Sequence, residues 1–359
     1  MNKLLSLLAA SAVLAGSLTA CSSDGGQTIS LPDSFSEAGS GSSEGKVQIV
    51  TTIFPEYDWT KNILGNDASG AEVSMLLDSG VDLHSYQPSA DDILTISNCD
   101  VFVYIGGESE KWVDDVLKEA NNSEMIVVDL MDVLGESVKE EEVVEGMQEE
   151  DEHDHDHDHE DGDHDDKDHH HEDEEEKEYD EHIWLSLKNA SKCVDSIAEA
   201  VSEADSDNSS VYRKNADEYI SKINALDAEY QSAVAAAPVK TLLFGDRFPF
   251  RYMTDDYGLT YYAAFVGCSA ETEASFETIT FLAGKVDELS LDSVITIEGT
   301  DHRIADTVVN STKKRNQKVI SMNSMQSVTS KDIDNGADYI SIMEENLGTL
   351  KKALKLEEK

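Results

Sequence analysis

Between Asp151 and His171 the chain alternates carboxylates with imidazoles, and eight of its eleven histidines fall in this one run. No core can bury so dense a set of ionisable groups, so folding must be done by the sequence on either side. The run needs a reason outside packing, and weak, many-site capture of a borderline transition metal is the best available one. Neutral imidazole suits Zn²⁺, Cu²⁺ and Ni²⁺, whereas carboxylates alone would suit Ca²⁺ or Mg²⁺. Auxiliary metal capture is therefore expected of His153, His155, His157, His159, His164, His169, His170 and His171. The plain alternatives are a solvated acidic linker, or a tag, although tags sit at termini and this run is internal.

The formal net charge is −48 over 359 residues, and residues 139–181 hold 25 acids against three lysines. That balance excludes phosphate-backbone binding, so no nucleic-acid partner is expected, and it favours a cationic ligand. Residues 1–20 read as an export signal, with Lys3 as the cationic start, an apolar stretch from Leu4 to Leu14 and a small-residue cleavage site. Leu18-Thr19-Ala20-Cys21 is similar to a bacterial lipobox, which implies a lipid on Cys21 and a tether to the outer face of the cytoplasmic membrane. Residues 21–45 are Ser, Gly and acid, the composition of a flexible stalk. Beyond the signal no stretch of about 20 residues is apolar enough to span a bilayer. Cys99, Cys193 and Cys268 remain, an odd number, so at most one internal bridge can form. None is spaced as a metal pair, and each reads as a small buried or lone thiol.

Past the stalk, short β-branched runs alternate with helical patterns. Residues 46–52, 72–77, 101–105 and 125–129 read as strands, with helices at 57–63, 90–96 and 111–120 between them. A second set follows the acidic run, with strands at 241–244, 260–265, 293–298 and 318–322 and helices near 273–287, 304–314 and 334–354. This predicts an α/β protein of two similar lobes, 46–185 and 239–359, each a parallel sheet flanked by helices. The first lobe would carry the disordered acidic loop at about 137–181.

A helical junction at 186–238 joins the lobes. Across 208–236, Tyr212, Ala216, Tyr219, Ile223, Leu226 and Tyr230 repeat at spacings of four and three, one apolar stripe that Pro238 closes. Such a helix would run roughly 40 Å, enough to touch both lobes and to resist large hinge closure. Ligands in this architecture sit outside the carboxyl ends of the strands, which places the site in the interlobe cleft. Three histidines lie outside the acidic run. His84 falls in a loop after the second strand, His182 falls where the acidic run meets the junction helix, and His302 falls late in the second lobe.

Here the residues resemble a family. His84-Ser85-Tyr86-Gln87-Pro88 followed by Asp91, and His182-Ile183-Trp184-Leu185 before Asn189-Ala190, look like the two histidine motifs of the solute-binding lipoproteins of zinc and manganese ABC importers. Phe54-Pro55-Glu56-Tyr57-Asp58-Trp59, Tyr257-Gly258-Leu259 and Asn346-Leu347 also fit, so the resemblance covers most of 46–354. An acidic, His-rich insertion before the second motif is typical of the zinc branch. The resemblance implies two lobes on a backbone helix, a metal buried between them, and delivery to a permease driven by a partner ATPase. It implies no catalysis, and the protein is expected to be a monomer. Carried over by position, His84 and His182 become metal ligands.

The zinc branch usually has a third histidine at the end of the first strand of the second lobe. This chain has Phe244-Gly245-Asp246-Arg247-Phe248-Pro249-Phe250 instead, which makes Asp246 the expected third ligand. A late position where relatives have Asp falls near Asn323, a poor zinc ligand, so Glu298 or His302 is expected to substitute. Two histidines and one or two carboxylates satisfy four-coordinate Zn²⁺, and the same set would hold Mn²⁺. The histidine tract favours zinc. A manganese receptor, a secreted zinc hydrolase and a metal-binding adhesin are the competing readings. Against the hydrolase, the chain has no H-E-x-x-H, and a closed site leaves no position for water.

Overall fold

The computed structural model describes residues 45–65, 70–148, 178–269, 273–299 and 301–356. The expected signal, stalk and lipidated Cys21, and the eight tract histidines, lie outside the described residues.

The first lobe alternates β1 (Val47–Thr51), α1 (Phe54–Leu64), β2 (Ala71–Met75), α2 (Ala90–Asn98), β3 (Val101–Tyr104), α3 (Trp112–Lys118), β4 (Ile126–Asp129) and α4 (Leu130–Leu134). Its strands form one parallel sheet in the order β2-β1-β3-β4. The unbroken apolar run of β3 is what a strand covered on both faces requires. Val101 and Val103 enter the main core, while Phe102 faces the opposite side with Val50, Ile96 and Val113. Ser89 and Asp92 close α2 with a reciprocal capping box, as the sequence implies for Ser89.

Two antiparallel helices follow, α5 (Leu187–Ala204) and α6 (Ser209–Ala236). At 28 residues α6 runs about 42 Å. Its apolar stripe is buried along its length, and its tyrosines reach in both directions. Tyr219 donates to Asp58 Oδ2 of α1 at 2.8 Å, and Tyr230 donates to the Met343 carbonyl of the second lobe at 2.6 Å.

The second lobe contains β5 (Thr241–Leu243), β6 (Arg247–Phe248), α7 (Arg251–Tyr257), β7 (Thr260–Tyr262), β8 (Phe265–Val266), α8 (Phe276–Leu289), β9 (Ser293–Ile297), α9 (Arg303–Ser311), β10 (Lys318–Met322), α10 (Ser330–Asp334) and α11 (Tyr339–Ala353). β7 pairs with β5 and β9 with β10, all parallel, and a parallel bridge between Phe244 and Ile295 joins the pairs. The first lobe's order is thereby repeated. Two expectations change in detail. The strand expected over 260–265 splits into β7 and β8 so that β8 can pair with β6, and the helix expected over 334–354 starts later because Gly336, at φ +97°, breaks it from α10.

One apolar core runs through both lobes and the two junction helices. Trp184 donates from Nε1 to the Ser324 carbonyl at 2.8 Å, and Tyr339 donates to the Trp184 carbonyl at 2.7 Å. Trp59 meets the edge of Tyr339 with ring centroids 5.3 Å apart. The lobes are cemented at their base, so closure by a large hinge rotation would have to break a buried apolar interface. Among the described residues no helix is long and apolar enough to cross a membrane.

Candidate metal site between the lobes

His84 lies on a single 3₁₀ turn, Leu83–Ser85, between β2 and α2. Asp82 caps that turn, its Oδ1 accepting the His84 amide at 3.1 Å, while Leu83 is buried beneath. His182 opens a second 3₁₀ turn, Ile183–Leu185, whose three residues are fully buried anchors ahead of α5. The Asp180 Oδ1 atom accepts both the His182 backbone amide and its ring Nδ1, each at 2.9 Å. One carboxylate oxygen thus fixes the backbone and the imidazole together.

Nδ1 of His84 lies 2.8 Å from Ser109 Oγ and 3.3 Å from Glu181 Oε2. Burial pushes the Glu181 carboxyl up, but the His84 imidazole and the Ser109 hydroxyl and amide outweigh it and hold it below the usual carboxylate range. With acceptors at both Nδ1 atoms, both rings carry the proton there and present the Nε2 lone pair. The tautomers follow from these partners. The two Nε2 atoms face one another at 3.1 Å, with ring centroids 5.0 Å apart. Two acceptors at that distance need a hydrogen-bond donor or a cation between them. Zinc bonds of about 2.0–2.1 Å in a tetrahedron would set two ligand nitrogens about 3.3–3.4 Å apart, so the pair is already near the spacing of a metal clamp. Carboxylates behind imidazoles are the usual support for such ligands.

Two groups from the second lobe complete the surroundings. The Gln326 amide nitrogen, in the loop after β10, lies 2.7 Å from His182 Nε2 and 3.1 Å from His84 Nε2. It supplies donor hydrogens where a cation would sit, and would have to withdraw for one. Met325, at φ +65°, turns the backbone so that this side chain can reach, and Asn323 Oδ1 accepts the Met325 amide at 2.7 Å. The second group is Cys268, just after β8, whose sulfur and one ring nitrogen from each histidine all lie within 4.8 Å of one another. Burial, then the nearby Glu141, Asp180 and Glu181 carboxylates, push its thiol well above the usual range.

The other predicted residues fall elsewhere. Asp246 Oδ1 accepts the Arg247 amide at 2.9 Å and Oδ2 the Ile297 amide at 3.2 Å, so its carboxylate ties β5 to β9. At Gly245 a Cβ would stand 2.6 Å from Ala305 Cα, so no side chain fits against α9 there. Glu298 takes the Ser324 amide at 2.6 Å and the Ser324 hydroxyl at 2.7 Å, holding the loop that carries Gln326. Burial raises its pKa. His302 is at the start of α9, its Nδ1 2.9 Å from Thr296 Oγ1. Among the described residues the one cluster with metal-ligand spacing is His84, His182 and Cys268, so Asp246 and Glu298 are not brought into it. The sequence reading missed Cys268 and Gln326. A Gly-Cys pair ending a strand of the second lobe was the available signal for the first, and nothing local marks the second.

At the cleft rim the Arg247 guanidinium pairs with Asp82 across the lobes at 2.8 Å. Burial would raise the Asp82 carboxyl, but the charge and hydrogen bond of Arg247, with the His84 backbone amide, bring it below its ordinary value. Cys99 and Cys193 are free thiols buried away from the cleft.

Two α/β lobes on one rigid helix, with donor atoms converging in the crevice, define the two-lobe class of solute-binding receptor. The chain belongs to the zinc-uptake complex component A family, whose model matches residues 49–353. It is 30% identical over 320 residues to the high-affinity zinc uptake system protein ZnuA of Bacillus subtilis, a match covering 89% of this chain and 91% of that one. It is 31% identical over 314 residues to the zinc-binding protein AdcA of Streptococcus pyogenes serotype M3, covering 86% of this chain. The match spans 56% of that relative, so the chain corresponds to about half of it. The crystal structure of the Zn(II)-bound ZnuA-like domain of Streptococcus pneumoniae AdcA superposes with TM-score 0.64 at 27% identity, covering 86% of this chain and 99% of that one.

Proposed function

We propose that this protein is an extracytoplasmic receptor that captures Zn²⁺ between its lobes on His84 and His182 and hands it to the permease of an ABC importer driven by a partner ATPase. It acts as a monomer, is held to the outer face of the cytoplasmic membrane by a lipid on Cys21, and catalyses no reaction. The observation that carries the reading is the pair of imidazoles, each anchored at Nδ1 by acidic or hydroxyl partners, whose Nε2 lone pairs converge at 3.1 Å. Membership of a zinc-uptake family and the zinc-binding relatives support zinc as the cargo over manganese. The acidic histidine tract is proposed to gather ions loosely ahead of this tight site, and protons should compete with metal there below about pH 6.5.

Titration of the full chain with zinc against a competing chelator should resolve one tight ion and several loose ones. Exchange of both His84 and His182 for Ala should remove the tight ion and leave the loose ones. Retention of the tight ion in that double variant defeats the proposal.

A further inference from the structure

We infer that Cys268 is the third protein ligand of the interlobe ion, binding through its sulfur, so that this receptor holds its cargo in a two-histidine, one-thiolate site. The inference rests on the reading of His84 and His182 as ligands.

The sulfur and one ring nitrogen from each imidazole lie within 4.8 Å of one another. With Zn–S near 2.3 Å and Zn–N near 2.0–2.1 Å, a tetrahedral ion sets sulfur and nitrogen about 3.5–3.6 Å apart. Drawing the three donors onto one ion therefore asks for a movement of about 1 Å, within reach of a side-chain adjustment at a strand end. The backbone is placed for it. A Cβ at Gly267 would stand 3.0 Å from His182 Cε1 and 3.1 Å from its Nδ1, so glycine lets the end of β8 come to rest against the imidazole. Glu141 Oε1 accepts the Cys268 amide at 3.1 Å and pins the residue facing the cleft.

The other second-lobe candidates are engaged. The Asp246 carboxylate accepts two backbone amides, Glu298 holds Ser324, and position 245 has no room for a side chain. Coordination replaces the S–H bond by an S–Zn bond and releases one proton to solvent. A thiolate favours zinc, whereas Mn²⁺ prefers carboxylate and water, so Cys268 would also set selectivity between the two.

The test is the absorption spectrum of the full-length protein loaded with one equivalent of Co²⁺, together with zinc and manganese titrations of Cys268→Ser and Cys268→His. A thiolate-to-cobalt charge-transfer band is expected in the parent and absent from both variants. The histidine tract contains no thiol and cannot produce that band. Cys268→Ser should lose more zinc affinity than the 10–100-fold typical of an outer-shell change, about 100-fold or beyond, with manganese binding little altered. Cys268→His should recover much of the zinc affinity without the band. A parent spectrum without the band, or a serine variant with parental zinc affinity, overturns the inference. If the tight ion still disappears from the double histidine variant in that case, the receptor reading stands and the third ligand lies elsewhere.

Discussion

The two lobes repeat one strand order and contribute opposite things to the cleft. The first supplies two imidazoles locked from behind by Asp180, Glu181 and Ser109, on short turns whose neighbours Leu83, Ile183 and Trp184 are buried. The second supplies groups carried on loops. Cys268 follows a two-residue strand, and Gln326 follows a left-handed Met325. Matching sheets therefore do not dictate matching sites, because the fold sets where loop ends meet and the side chains on them set the chemistry. The first lobe's contacts fix the two imidazoles before an ion arrives, whereas the second lobe's sulfur and amide would have to shift to accommodate one.

That contrast can be broken at several points. The largest effect is expected from Trp184→Ala, which removes the wedge joining the first lobe to the Ser324 loop. It should cost about 3–5 kcal/mol of stability by denaturant titration, and a loss below about 1 kcal/mol would show that the lobes are not cemented there. Next, Asp180→Ala frees the His182 ring from behind. Zinc affinity should fall about 10–100-fold with the fold intact by circular dichroism, and unchanged calorimetric affinity would mean that pre-ordering contributes little.

A third test concerns the buried carboxyls behind the site. Burial raises Glu110, and burial with the nearby Glu110 raises Glu56. A raised acid binds its proton more tightly in the folded state, so its contribution to stability is complete below the unfolded value and is lost as pH climbs towards the folded one. Stability should therefore fall from about pH 4.3 upward through neutrality. Glu110→Gln should flatten that slope by up to about 1.4 kcal/mol per pH unit. An identical pH profile would place the proton elsewhere. The smallest effect is expected from Arg247→Ala at the partly exposed rim, about 1 kcal/mol or less in stability, read by thermal unfolding. A larger loss would mean that the rim, and not the base, holds the lobes together.

Much of this could be read along the chain. Alternating strands and helices, the stripe of α6 and the Ser89 cap are local patterns, and the structure repeats them with shifted ends. His84 and His182 also stood out as loop histidines in motifs. Asp246 is expected from the family's third-ligand position and Glu298 as an acid at a strand end, yet in the fold their oxygens serve backbone amides and Ser324. An unpaired strand-end carboxylate and one consumed by a neighbouring strand look the same in a sequence.

The amino-acid order alone determined the α/β alternation, the long stiff connector and the charge that repels anions, because periodicity, caps and ionisation act over a few residues. Only the tertiary structure decided which donors share the crevice. His84, His182, Cys268 and Gln326 come from four separate stretches, and their meeting depends on parallel crossovers, on a glycine that admits a backbone against an imidazole, and on a left-handed residue that aims an amide. Those are long-range and steric conditions, fixed when the core closes.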